Sequence, residues 1–169
     1  KKKNLRVLEI GKVEKREPKL EYRYVDGGIL VQDSDLSAVT HGQLKVVTKV
    51  RPTDDQITDM LFGWKVLKYV KSNGILIIKN KTTVGVGAGQ VSRVDAVDIA
   101  INKSGDNLKG TVLCSDAFFP FRDCIDKLAG TGISAVIQPG GSIRDEEVIA
   151  ACDEHGTTMT FTGQRCFKH

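Results

Sequence analysis

From Arg51 onward the apolar positions recur alternately at helix and strand spacing. Thr53 stands where a helix cap is needed, with Gln56 completing a capping box, and Ile57, Met60, Leu61, Trp64, Leu67 and Val70 follow as one buried helix face. Gly74 to Lys79 reads as a buried strand, Asn80-Lys81 as a turn and Thr82 to Val86 as a second strand, after which Val91, Val94, Val97 and Ile101 fall at helical spacing. Thr111 to Ser115, Ser134 to Gln138 and Thr158 to Phe161 are short apolar strands, with helices near Arg122 to Ala129 and Arg144 to His155 between them. This alternation predicts an α/β layered fold with helices packed on a mixed, mainly parallel sheet.

The first part of the chain has a different pattern. Leu5 to Ile10 reads as a strand, Gly11 to Lys19 as a solvated connection, and Tyr22 to Asp26 with Gly28 to Val31 as two extended segments about the turn signal Asp26-Gly27-Gly28. Residues 1–44 are expected to form a β-rich arm with little core of its own, and residues 45–169 the main domain.

Composition bounds the class. A chain of 169 residues, 40% hydrophobic and 27% charged, is long enough for one full core, and no apolar run approaches the roughly 20 residues that span a bilayer. The net charge of +4 is concentrated near the start, at Lys1 to Lys3, Arg6, Lys12, Lys15, Arg16, Lys19 and Arg23, without the interleaved aromatics or motif of a nucleic-acid binder. A solvated basic edge is expected there, with anionic small molecules as partners and neither nucleic acid nor membrane. Cys114, Cys124, Cys152 and Cys166 form no CxxC pair and lie in or beside apolar segments, which suits reduced packing residues of a cytoplasmic protein. The charged start lacks the apolar run of a signal peptide. His41, His155 and His169 have no partner at metal-site or triad spacing, so no transition metal is expected.

In an open α/β sheet, ligands gather where strands end and loops begin. Lys71-Ser72-Asn73, Gly85 to Gln90, Ser115 to Asp123 and Gln138 to Ser142 all fall at such ends. The segment Cys114 to Asp123 sets three aromatics, a proline and two carboxylates in one short connection, which either fills an interior gap or receives a flat ligand. The glycine run is not a dinucleotide fingerprint, because Gln90 stands where the third glycine belongs. Its glycines allow either close approach of a ligand, with the amides near Ser92 and Arg93 at a helix start, or a tight turn with nothing bound. Asn73 can present its amide to a ligand or cap a turn, Asp123 can meet a ligand or a helix dipole, and Arg165 can pair with a phosphate or a carboxylate.

Taken in order, Phe62-Gly63-Trp64-Lys65-Val66, Lys71-Ser72-Asn73, Gly85 through Asp95, Ser115 through Asp123, Gln138-Pro139-Gly140-Gly141-Ser142-Ile143-Arg144-Asp145 and the ending Arg165 to His169 resemble the AICAR transformylase/IMP cyclohydrolase family. The resemblance covers residues 45–169 and corresponds to the C-terminal half of the transformylase domain. It implies a cytidine deaminase-like fold and formyl transfer from the co-substrate 10-formyltetrahydrofolate to the 5-amino group of AICAR. It also implies that Asn73, Phe118 and Arg165 contact AICAR, Arg165 near the phosphate and Asn73 in a catalytic role. Arg93, Val94, Pro120, Phe121 and Asp123 would line the folate site, with Ser92 beside them and Asp123 bonding the pterin ring nitrogens.

The resemblance further implies a homodimer. An alkali ion among loop carbonyls stays open. Two departures accompany the match. Cys124 stands where some relatives have an amide, and the Lys-His-x-Asn-Pro motif that supplies the family's proton-transfer pair belongs to the other half of the domain and does not occur in this sequence. The chain alone is therefore expected to turn over little or not at all. Two alternatives differ in class: a folate- or nucleotide-binding or assembly module without catalysis, and a zinc deaminase. The second lacks both His-x-Glu and Pro-Cys-x-x-Cys.

Overall fold

In the run Ile75 to Ile78, alternate side chains enter two different cores, and this divides the molecule into layers. The structure is a computed structural model that describes residues 3–14 and 17–168; Lys1, Lys2, Lys15, Arg16 and His169, named above for charge or motif, lie outside the described residues. Ile75 and Ile77 pack with Leu113, Val136, Ala96, Ala100, Val148 and Met159, whereas Leu76 and Ile78 pack with Val112, Ile137, Met60, Trp64 and Leu67. A strand buried on both faces has to be apolar throughout, as β4 (Ile75–Lys79) nearly is.

The sheet of the larger unit has the order β3-β8-β7-β6-β4-β5. Its strands are β3 (Lys45–Val46), β4, β5 (Thr82–Gly87), β6 (Thr111–Ser115), β7 (Ile133–Gln138) and β8 (Thr158–Phe161). On one face lies α1 (Asp54–Leu67); on the other lie α2 (Arg93–Ser104), α3 (Asp123–Asp126) and α4 (Asp145–Glu154). The capping box forms as expected: Gln56 N–H donates to Thr53 Oγ1 at 3.2 Å, and Thr53 N–H to Gln56 Oε1 at 2.8 Å.

The sheet is mixed, and its parallel pairing is confined to β6-β7-β8; the β3-β8, β4-β6 and β4-β5 pairs are antiparallel. The two-residue turn Asn80-Lys81, at φ 50° and 54°, is too short for a crossover and forces β5 back along β4. From α1, the buried Asp59 holds that turn, its carboxylate accepting the Asn80 and Lys81 N–H groups at 2.8 and 2.7 Å. These directions bring the C-terminal ends of β5, β6, β7 and β8, and the N-terminal end of β4, to one edge of the sheet.

Residues 1–37 form a separate compact unit. Its β1 (Leu20–Val25) and β2 (Gly28–Asp33) pair as an antiparallel hairpin through the expected turn. The strand expected at Leu5 to Ile10 does not form. No partner among the described residues completes a ladder there, and Leu5, Val7, Leu8 and Ile10 are exposed. The expected division at residue 44 falls within the second unit, Ala38–His169, where Val39 is buried in the α1-side core. Among the described residues no helix is long and apolar enough to cross a membrane.

Candidate functional site, a cleft at the strand ends

The turns at the common edge are tied to one another by their backbones. Asn73 N–H donates to Gln90 O, Gly89 N–H to Lys71 O, Asp116 N–H to Gly74 O, Cys166 N–H to Asp116 O and Ser72 N–H to Lys168 O, all at 2.8 to 3.2 Å. Between them opens a cleft of about 490 Å³, within the range of small-molecule sites. Its lining includes Asn73, Arg93, Val94, Phe118, Pro120, Phe121, Asp123 and Arg165, so all eight residues singled out from the sequence reach one cavity.

The aromatic segment divides between its two alternatives residue by residue. Phe119 is fully buried and fills the interior, its N–H donating to the buried Gln138 Oε1 at 3.1 Å. Phe118 and Phe121 line the cleft instead. Arg165 lies over the Phe118 ring at 5.4 Å from its centroid and over Phe167 at 5.9 Å, while Arg144 lies over Phe121 at 4.7 Å.

The two lining arginines differ in electrostatic state. Arg93 is largely buried at the start of α2, where the helix dipole opposes a positive charge. Asp116, fully buried, offsets that cost: Arg93 Nη1 donates to Asp116 Oδ1 at 2.6 Å and to Ser115 Oγ at 2.9 Å, and Nη2 to Asn73 Oδ1 at 2.7 Å. Arg165 is exposed, and among the described residues no carboxylate lies within ion-pair distance of it. An anion entering the cleft therefore meets Arg165 as the uncompensated charge.

Asn73 is engaged as well. Its Nδ2 donates to Gln90 O at 3.0 Å and to Val91 O at 2.9 Å, so both amide hydrogens are used within the protein. What remains for a ligand is the second lone pair on Oδ1. Asp123 begins α3, accepts the Cys124 N–H at 2.7 Å and keeps further acceptor capacity. Burial, then the Asp123 charge, pushes the Cys124 thiol up to about 12, so it stays protonated. All four cysteines are buried and none is in a disulfide, and among the described residues no cluster of His, Cys, Asp and Glu could hold a metal ion.

Two readings of the glycine run are corrected. β5 runs on past the expected Val86 to take in Gly87, so that both Gly85 and Gly87 lie in the strand, and what approaches them is α2 and not a ligand: a Cβ at Gly87 would lie 1.9 Å from Ala96 O, and one at Gly85 would lie 2.2 Å from Ala100 O. Val91, expected on the helix face, is fully exposed before the helix and lines the cleft. Phe167 and Asp116 carry no role in the sequence reading. Phe167 had a signal, since the extended segment Arg165-Cys166-Phe167 with Cys166 buried sends its two neighbours to the same side.

A surface network braces the far end of the aromatic segment. Arg122 pairs with Asp126 at 2.9 Å and Glu154 at 2.6 Å, and His155 Nε2 lies 2.8 Å from Asp126. The Arg122 hydrogen bond, then that of His155, holds the Asp126 carboxyl at about 2, below the ordinary aspartate value. A depressed carboxyl contributes stability that is complete above its unfolded value near 4 and lost as pH falls through about 2. Urea unfolding across that window is expected to show a steeper loss in the wild type than in Asp126→Asn.

Comparison with known proteins agrees with the motifs. Residues 1–103 match the family described as the AICARFT/IMPCHase bienzyme. The whole chain is 54% identical over 172 aligned positions to the bifunctional purine biosynthesis protein PurH of Persephonella marina, covering 33% of that protein, so the chain spans about a third of the length of this curated relative. Among solved structures, RibD of Acinetobacter baumannii is similar at a TM-score of 0.40 and 16% identity, over 57% of this chain and 31% of that one, too slight a likeness to carry an argument. The family match takes in the N-terminal unit, which the motifs had left aside, and with the 54% identity along the full length it establishes that the chain belongs to the AICARFT/IMPCHase bienzyme family.

Proposed function

We propose that the cleft is the substrate-binding part of an AICAR formyltransferase, which passes the formyl group of 10-formyltetrahydrofolate to the 5-amino group of AICAR in purine synthesis. The observation that carries this reading is the meeting of eight residues, from the turn before β4, the start of α2, the segment from β6 into α3 and the C-terminal segment, in one cavity with apolar walls, where Arg165 has no carboxylate within ion-pair distance among the described residues. Arg165 takes the phosphate. Phe118 packs on the AICAR side, and Val94, Pro120 and Phe121 receive the pterin, whose ring N–H groups donate to Asp123. Arg93, already oriented, donates to a carbonyl oxygen.

In the reaction the amine nitrogen bonds to the formyl carbon, the bond from that carbon to N10 breaks, the amine loses a proton and N10 gains one. An amine conjugated to a carboxamide is a weak nucleophile, so positioning and proton transfer supply the acceleration. Asn73 Oδ1, which retains one lone pair, accepts an amine N–H and aims the nitrogen lone pair at the formyl carbon. The proton-transfer pair is that of the Lys-His-x-Asn-Pro segment, and a second copy of the chain adjoins the site.

Consumption of 10-formyltetrahydrofolate tests the reading. The 169-residue chain alone is expected to give no rate above background, and the chain joined to a family segment carrying Lys-His-x-Asn-Pro is expected to turn over. Robust turnover by the chain alone contradicts the division of labour. Ligand binding without turnover in the joined protein would point to a binding module.

A further inference from the structure

We propose that Asp116, which does not line the cleft, is a positioning residue that fixes Arg93 and, through Arg93, the carboxamide of Asn73. Both Asp116 oxygens are in use. Oδ1 accepts from Arg93 at 2.6 Å, and Oδ2 accepts from Gly74 N–H at 2.9 Å and from Ser72 Oγ. One carboxylate thereby ties the guanidinium at the start of α2 to the turn that carries Asn73, and its backbone holds the segment bearing Arg165 through Cys166 N–H.

The consequence is electrostatic as well as geometric. A free arginine at the cleft floor would compete with Arg165 for the phosphate of a nucleotide. With Asp116 beside it, Arg93 keeps Nε–H and one Nη2–H without partners among the described residues while its charge is compensated, so it serves as an oriented donor to a neutral acceptor. A charge-assisted hydrogen bond inside a protein depends on this kind of prior orientation.

The ligand chemistry rests on the function proposed above; the orientation of Arg93 does not, and the experiment separates the two. Nitrogen-15 spectra of the 169-residue chain are expected to show distinct, slowly exchanging Arg93 guanidinium signals, assigned by Arg93→Gln and averaged in Asp116→Asn. Free rotation of Arg93 in the wild type, or hindered rotation that survives Asp116→Asn, overturns the proposal whatever the cleft binds.

Titration with the carboxamide nucleoside and its 5′-phosphate then reads the coupling. Asp116→Asn is expected to weaken nucleoside binding about tenfold and to leave the nucleotide-to-nucleoside affinity ratio, which Arg165 sets, unchanged; a general collapse of the site would lower both. If Asp116 acts through Arg93, Asp116→Asn adds nothing on an Arg93→Gln background. That comparison needs only Arg93→Gln and the double variant, so it also serves if Asp116→Asn alone does not fold; if Arg93→Gln does not fold either, because it strands the buried Asp116 carboxylate, rescue of folding in the double variant, which leaves no unpaired buried charge, supports the pairing and its failure overturns it. Additive losses in the two variants overturn the proposal.

Discussion

Arg165→Ala is expected to weaken binding of the AICAR nucleotide roughly 10- to 100-fold, the range for losing hydrogen bonds to a charged group, while changing nucleoside binding much less. The two arginines in the cleft differ in what holds them. Arg93 is compensated by a buried carboxylate at 2.6 Å, and Arg165 is held by the faces of Phe118 and Phe167. A ring face orients a guanidinium without neutralising it, so a bound phosphate would gain a planar donor with no carboxylate among the described residues to compete for its charge. Calorimetric titration with nucleotide and nucleoside checks the expectation: the affinity ratio between them should collapse in Arg165→Ala. A ratio that survives would place the phosphate elsewhere.

Gly87→Ala is the second large effect, and it acts on fold and site together. The added Cβ would sit 1.9 Å from the carbonyl oxygen of Ala96 and 2.7 Å from its carbonyl carbon. Both are backbone atoms of α2, so no side chain can turn aside, and the helix has to move off β5. Overpacking of this kind costs about 3 kcal/mol, which in a domain of this size lowers Tm by about 10 °C. Because Arg93 and Val94 open the same helix, the shift also displaces one wall of the cleft. Thermal unfolding with ligand titration checks both, and Gly42→Ala, which has open space about it, is the control with no expected loss.

The Gly87 contact also marks what a sequence can reveal. Strands β6 and β8 have the bounds the apolar runs predict, and the Thr53 capping box and the Asn80-Lys81 turn form as their residue types require, because each is decided within a few neighbouring positions. The two-residue β3 has too few positions to show a period. Leu5 to Ile10 has the composition of a strand, but a strand is defined by its partner, and pairing lies outside any local pattern.

The site divides the same way. Loop positions at strand ends and the family motifs pointed to Asn73, Arg93, Phe118, Asp123 and Arg165, and these do line one cleft. Which atoms stay available could not be read along the chain. The engagement of both Asn73 amide hydrogens by Gln90 and Val91, and the compensation of Arg93 by Asp116, are pairings across long stretches of sequence. Gly85 and Gly87 suggested close approach of a ligand or a tight turn, and the group that approaches them is instead a helix backbone, which no local pattern identifies.

Whether one cleft receives both ligands is read by a nuclear magnetic resonance titration of the 169-residue chain with AICAR and, separately, with a non-reactive folate analogue. Saturable shifts are expected for AICAR at Asn73, Phe118 and Arg165, and for the folate analogue at Val94, Phe121 and Asp123, with both ligands bound together. Shifts confined to another surface, or two ligands that exclude each other, would contradict it.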